Sequence, residues 1–132
     1  TPLYSSAASD VYKRQPNGAF NIPEYGTVND KAQFEALYAY SPYHRVSAGT
    51  VYPAVLFMTG ANDPRVDPMH SRKMTARLQA ATSSGNPILL RTSSTTGHGI
   101  GTPLAERIKE DVDEFAFLFH ELGILPPSRS KR

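Results

Sequence analysis

A chain of 132 residues, 39% apolar and 20% charged, has the length and composition of one folded domain with a sizeable core. Its net charge of +2 comes from the ends: the first fifteen and last seven residues hold five of the fourteen basic residues and one of the twelve acidic ones. The body between them sets nine basic against eleven acidic residues, a net charge of −2, which argues against a nucleic-acid partner. The lack of cysteine excludes a disulfide frame and a thiolate metal site, and leaves both cytoplasm and periplasm open as compartments. No apolar run approaches the roughly 18 residues of a membrane span, so no membrane partner is expected, and the first residues lack a signal-peptide core.

Residues 1–15 carry no sustained helical or strand period and read as a leader foreign to the domain or a disordered terminus. The turn-rich text from Pro16 to Asp30 predicts a long surface loop. Lys31 to Tyr40 predicts a short helix, with Phe34, Leu37 and Tyr38 on one face and Asn29 or Asp30 as its cap. Ser41-Pro42 ends it, and Arg45 to Val51 connects onward. Tyr52 to Thr59, a short apolar run rich in β-branched and aromatic residues, predicts a strand buried on both faces in a parallel sheet. Asp67-Pro68 caps a second helix that runs to about Thr82, with Met74, Leu78 and Ala81 facing the sheet.

Ser84-Gly85-Asn86-Pro87 stops that helix, and Pro87 to Thr92 predicts a second strand followed by the polar loop Ser93 to Gly101. Thr102-Pro103 opens the last helix, whose Leu104, Ile108, Val112, Phe115, Phe119 and Leu122 form one apolar stripe ending at Gly123. The acidic run from Glu106 to Glu114 reads as its solvated face, and Pro126 to Arg132 as a disordered tail. Alternating helices and strands give an α/β fold, with parallel strands and helices packed on the sheet.

Both strands end in loops that carry chemistry. Gly60-Ala61-Asn62-Asp63-Pro64-Arg65 delivers an acid and a base just beyond the first strand, where ligands of open α/β sheets sit. The second strand's loop presents His98 between Gly97 and Gly99, about 35 residues after Asp63 with one helix between. That spacing suits the acid and histidine of a hydrolase triad, in which the aspartate orients the imidazole and the imidazole takes a nucleophile's proton. The glycines fit a close approach of backbone to substrate. Spacing alone leaves the plainer reading open, because Asn-Asp-Pro is an ordinary turn and a glycine-flanked histidine an ordinary loop.

The blocks Glu24-Tyr25-Gly26, Tyr40-Ser41-Pro42-Tyr43-His44, Tyr52-Pro53, Thr59-Gly60-Ala61-Asn62-Asp63-Pro64-Arg65-Val66, Pro68-Met69-His70-Ser71 and Gly97-His98-Gly99 stand in the order of one known family. Together, over residues 20–125, they resemble the carboxyl-terminal part of the prolyl oligopeptidase catalytic domain. The resemblance implies a partial α/β-hydrolase fold, a serine peptidase cutting after proline, and a peptide substrate. It implies Asp63 and His98 as triad members and Arg65 as the residue that hydrogen-bonds a substrate carbonyl, a role suited to a guanidinium fork. It implies no cofactor.

The chain departs from the family in one respect: no serine stands in a Gly-x-Ser-x-Gly elbow upstream of Asp63. Ser41, Ser71, Ser93 and Ser94 read as cap or turn residues. The expectation is a piece cut between the serine and the aspartate, inactive alone, its partners being the missing amino-terminal part of its own catalytic domain and a β-propeller. His44, His70 and His120 read as loop or surface residues, and with no His-Glu-x-x-His or comparable spacing no metal site is expected. Tyr25, Tyr38, Tyr40 and Tyr43 read as core and anchor residues. The rivals are another peptidase of the family, such as an acyl-peptide-releasing or dipeptidyl peptidase, an esterase sharing the triad order, or a non-catalytic domain derived from one. A flavodoxin-like cofactor domain would need a Gly-rich phosphate loop that the sequence lacks.

Overall fold

The computed structural model describes residues 18–124. The expected leader over residues 1–15 and tail over 126–132 lie outside the described residues. The elements are a 3-10 turn at Gly18–Asn21, then α1 (Ile22–Tyr25), α2 (Lys31–Tyr40), α3 (Pro42–Arg45), β1 (Val55–Gly60), α4 (Met69–Ala81), β2 (Ile88–Ser93) and α5 (Leu104–Glu121). The described residues fall in two compact units that divide between Ile100 and Gly101.

In the first unit β1 and β2 lie parallel, in register from Val55 opposite Ile88 to Gly60 opposite Ser93. The ladder starts later than the predicted strand because Pro53 has no N–H to give it. Its first rung is the Val55 N–H to the Pro87 carbonyl at 2.9 Å. The Tyr52 carbonyl, left out of the ladder, accepts instead from the Ser84 hydroxyl (2.7 Å) and the Asn86 amide (2.9 Å), which ties the entry of β1 to the approach to β2. Further upstream, Thr50 bridges Thr82 in parallel, and Gly49 N–H donates to the Ala81 carbonyl at 2.8 Å.

Helix α4 connects the strands. Asp67 Oδ1 accepts from the Met69 N–H at 2.8 Å, so the predicted capping side chain satisfies one of the helix's orphan donors. Leu78 and Ala81 are buried with Val46 and Ile88, and Tyr52, Val55, Phe57 and Met74 pack around them. This cluster carries the predicted helix face onto the sheet. The expectation of a strand buried on both faces is not met: Val55 to Thr59 are half-buried and only Gly60 is buried. Among the described residues the sheet has two strands, too few to cover both faces of either.

Helix α2 has its predicted bounds, with Asp30 Oδ1 accepting from the Gln33 N–H at 2.9 Å. Of its expected apolar face only Leu37 is buried, while Phe34 and Tyr38 are exposed. Nor are the tyrosines core residues: Tyr25 and Tyr43 are half-buried and Tyr38 and Tyr40 exposed. Two stretches predicted as loop and connection contain helical turns, α1 and α3, each with a proline in its first two positions. A proline that cannot continue one helix has the fixed φ that starts the next, so Pro42 both ends α2 and opens α3.

In the second unit α5 has the predicted stripe, and its six apolar residues are 45% to 71% exposed. The helix closes as a Schellman motif, with Ile124 N–H to the Phe119 carbonyl (2.8 Å), Gly123 N–H to the His120 carbonyl (3.2 Å), and Gly123 at φ 66°.

Candidate active site

Beyond the sheet, the loops that leave β1 and β2 cross each other. Ala61 N–H donates to the Ser93 carbonyl at 2.7 Å, continuing the ladder by one rung, and Asn62 N–H donates to the Thr96 carbonyl at 3.1 Å. The Asn62 side-chain amide donates to the Ser94 carbonyl at 2.8 Å. A Cβ on Gly60 would collide with the Thr96 and Gly97 carbonyl oxygens, so the second loop lies directly on the end of β1 and only glycine fits beneath it. Sequence reading gave Asn62 no more than a turn role; an amide placed at a strand exit was the available signal for this crossing.

The crossing brings Asp63 to His98. Asp63 Oδ1 accepts from the Arg65 and Val66 N–H groups, both at 2.8 Å, a turn that fixes the carboxylate on its own loop. Its other oxygen, Oδ2, is 2.8 Å from His98 Nδ1. The Asp63 side chain is 9% exposed and that of His98 37%, so the acid is shielded and the imidazole open to solvent. Burial pushes the Asp63 pKa up, but the hydrogen bonds from Val66, His98 and Arg65, with the charge of His98, outweigh it and hold the carboxyl below its ordinary value. An ionised carboxylate only accepts, so Nδ1 carries the proton and the Nε2 lone pair is available as a base. Arg65 is exposed one residue beyond Pro64.

The remaining candidates lie elsewhere. Ser41 is fully buried, and its hydroxyl is 2.8 Å from His44 Nδ1. The Ser71 carbonyl accepts from the Thr75 hydroxyl, Ser93 is buried, and the Ser94 carbonyl accepts from Asn62. His44, an exposed residue, lies tilted against the Tyr38 ring at 4.5 Å and meets the Tyr43 ring edge-on at 5.3 Å. Burial, with Lys73, Arg77 and Arg45 nearby, holds its pKa below the usual imidazole value. His70 is half-buried and likewise lowered, chiefly by burial, against the opposing charge of Asp67. His120 is exposed, 3.8 Å from Glu121. Among the described residues no group of three His, Asp or Glu side chains could hold a metal ion, and no helix is long and apolar enough to cross a membrane.

Residues 4–124 match the model of the prolyl oligopeptidase family. The chain is 42% identical over 114 residues to a prolyl endopeptidase of Elizabethkingia meningoseptica, covering 86% of this chain and 16% of that protein. It is 38% identical over 110 residues to a prolyl oligopeptidase of Omphalotus olearius, covering 81% and 15%. Among solved structures, a Galerina marginata prolyl oligopeptidase B bound to a 35-residue hydrolysis and macrocyclization substrate superposes with a TM-score of 0.76 at 34% identity, over 85% of this chain and 16% of that one. An oligopeptidase B of Leishmania major gives a TM-score of 0.77 at 26% identity, over 88% and 17%. The chain thus spans about one sixth of the length of these relatives. With a family match across most of its length and a structure that superposes on theirs, the chain belongs to the prolyl oligopeptidase family and forms part of an α/β-hydrolase domain.

Proposed function

We propose that this chain is the portion of a prolyl-bond-cleaving serine peptidase that supplies the acid and the base of its catalytic triad. The observation that carries the reading is the 2.8 Å contact between Asp63 Oδ2 and His98 Nδ1 at the carboxyl ends of two adjacent parallel strands. The names of its relatives support proline as the residue before the cut. The serine belongs to the rest of the enzyme, which also supplies the oxyanion hole and the walls of the specificity pocket.

In that enzyme the serine oxygen bonds to the prolyl carbonyl carbon while His98 Nε2 takes the hydroxyl proton. As the tetrahedral intermediate collapses, the C–N bond breaks and His98 gives that proton to the leaving amine. Water then repeats the sequence on the acyl-enzyme and frees the serine. Asp63 holds the ring in the tautomer with Nδ1 protonated and stabilises the imidazolium formed in each half. Arg65, exposed beside the pair, donates its guanidinium to a backbone carbonyl of the peptide.

The full-length enzyme is the material for the test. It is expected to cleave a chromogenic peptide after proline, and His98→Ala is expected to lower kcat by about a thousandfold or more with the protein still folded. Cleavage that survives this substitution, or a full-length protein without peptidase activity, would overturn the reading.

A further inference from the structure

We propose that Asn62 is a positioning residue for the acid–base pair, clamping the loop that carries His98 to the turn that carries Asp63. The inference rests on the reading of Asp63 and His98 as catalytic groups. Asn62 reaches two carbonyls of the other loop at once, Ser94 through its side-chain amide at 2.8 Å and Thr96 through its backbone N–H at 3.1 Å. These carbonyls lie four and two residues before His98. The neighbouring residue, Asp63, closes the same loop from the other side through its bond to Nδ1. The His98 loop is therefore fixed at three successive points by two adjacent residues.

The remaining supports do not duplicate this one. Gly60 permits the loop to lie against the strand end but supplies no bond to it through a side chain, and the Ala61 rung ends at Ser93, before the loop begins. Within the loop the Ser93 and Thr95 hydroxyls make one long contact of 3.4 Å. Among the described residues the Asn62 amide is the side-chain donor that spans from the Asp63 turn to the His98 loop. His98 is exposed, so hydrogen bonds to its loop weigh heavily in the orientation of its ring.

An unclamped loop lets the imidazole wander from Asp63 and from the attacking serine, and a misplacement on the order of 1 Å can cost up to about a hundredfold in rate. In the full-length enzyme Asn62→Ala is expected to lower kcat about tenfold with KM little changed, since the amide is spent on the Ser94 carbonyl. Asn62→Asp, which sets a carboxylate against the Ser94 carbonyl, is expected to lose more than Asn62→Ala. The deshielded Nδ1 proton shared by His98 and Asp63 should broaden in the proton NMR spectrum of Asn62→Ala. In an Asp63→Asn background the further change Asn62→Ala should cost much less than it does alone, because the geometry it protects is already lost.

A role in stability alone would lower the melting temperature, leave kcat and the shared proton resonance unchanged, and make the double-mutant cycle additive; that outcome overturns the inference. If Asp63→Asn cripples the enzyme while Asn62→Ala leaves kcat unchanged, the positioning role fails and the function stands. If Asp63→Asn is itself without effect, the acid–base reading fails and takes this inference with it.

Discussion

His98 and His44 each hold an oxygen through Nδ1 at 2.8 Å, in the same compact unit, yet their surroundings differ in charge. His98 meets a carboxylate kept ionised by two backbone N–H groups, and its ring is open to solvent. His44 meets a hydroxyl that is fully buried, lies tilted against Tyr38, and has Lys73, Arg77 and Arg45 around it. The distance is the same at both; the charge of the partner is not, since an anion stabilises an imidazolium whereas nearby cations oppose one.

The sharpest break in this comparison is the removal of each partner in the full-length enzyme. Asp63→Asn leaves a side chain of the same shape, but its amide can present a donor to Nδ1 and favour the wrong tautomer, so kcat should fall by about 10³ to 10⁴. Ser41→Ala should leave kcat unchanged and instead cost about 1 to 2 kcal/mol of stability, because a hydrogen bond to a buried hydroxyl is lost and a small void opens. Steady-state kinetics and thermal melts on the two variants separate these outcomes. A large kinetic loss in Ser41→Ala would mean that His44 also takes part in turnover.

How legible these two sites are in the sequence follows from what holds each together. The Asp63–His98 pair depends on local chemistry: a strand ending in turn residues, a second strand ending in a glycine-flanked loop, and one helix between to bring them side by side. Asp67 capping α4 and Asp30 capping α2 are local in the same way, and both were readable. The Ser41–His44 contact depends on α3, a single turn hidden because Pro42 reads as a stop and not as a start. The two-sided burial expected of β1, and the core roles expected of Tyr38 and Tyr40, depend on what lies across the sheet and against α2. No period or turn signal within the chain determines that. The apolar stripe of α5 was readable as a pattern, while its cover was not, since a stripe names the face and not the partner.

Acid should expose the second difference. Asp63 has a folded pKa below its unfolded value near 3.9, so its contribution to stability is complete above that value and is lost as pH falls through the lowered one. His44 is also lowered, but as a base: below about pH 6.5 the unfolded chain takes up a proton that the folded site resists, so stability declines from there down to its folded pKa. Melting temperature against pH should therefore lose part of its slope just below about pH 6.5 in His44→Gln, the rest belonging to His70, which burial lowers in the same way, and part of its slope below about pH 4 in Asp63→Asn. Exchange of these windows between the two variants would contradict the assignment.

The smallest effect tests why His44 is lowered. Burial is the leading cause, followed by Lys73, whose Nζ lies 5.2 Å from the centre of the Tyr43 ring that meets His44 edge-on. Lys73→Gln keeps the length of the side chain and removes its charge. The His44 pKa, followed by NMR of the labelled imidazole and assigned with His44→Gln, should rise part of the way toward its ordinary value and stop short of it. Burial, Arg77 and Arg45 still act on the ring. A pKa that does not move would mean that solvent screens the lysine and that burial with the arginines accounts for the whole depression. A pKa that returns fully to the ordinary value would mean that the lysine charge, and not burial, accounts for the depression of His44.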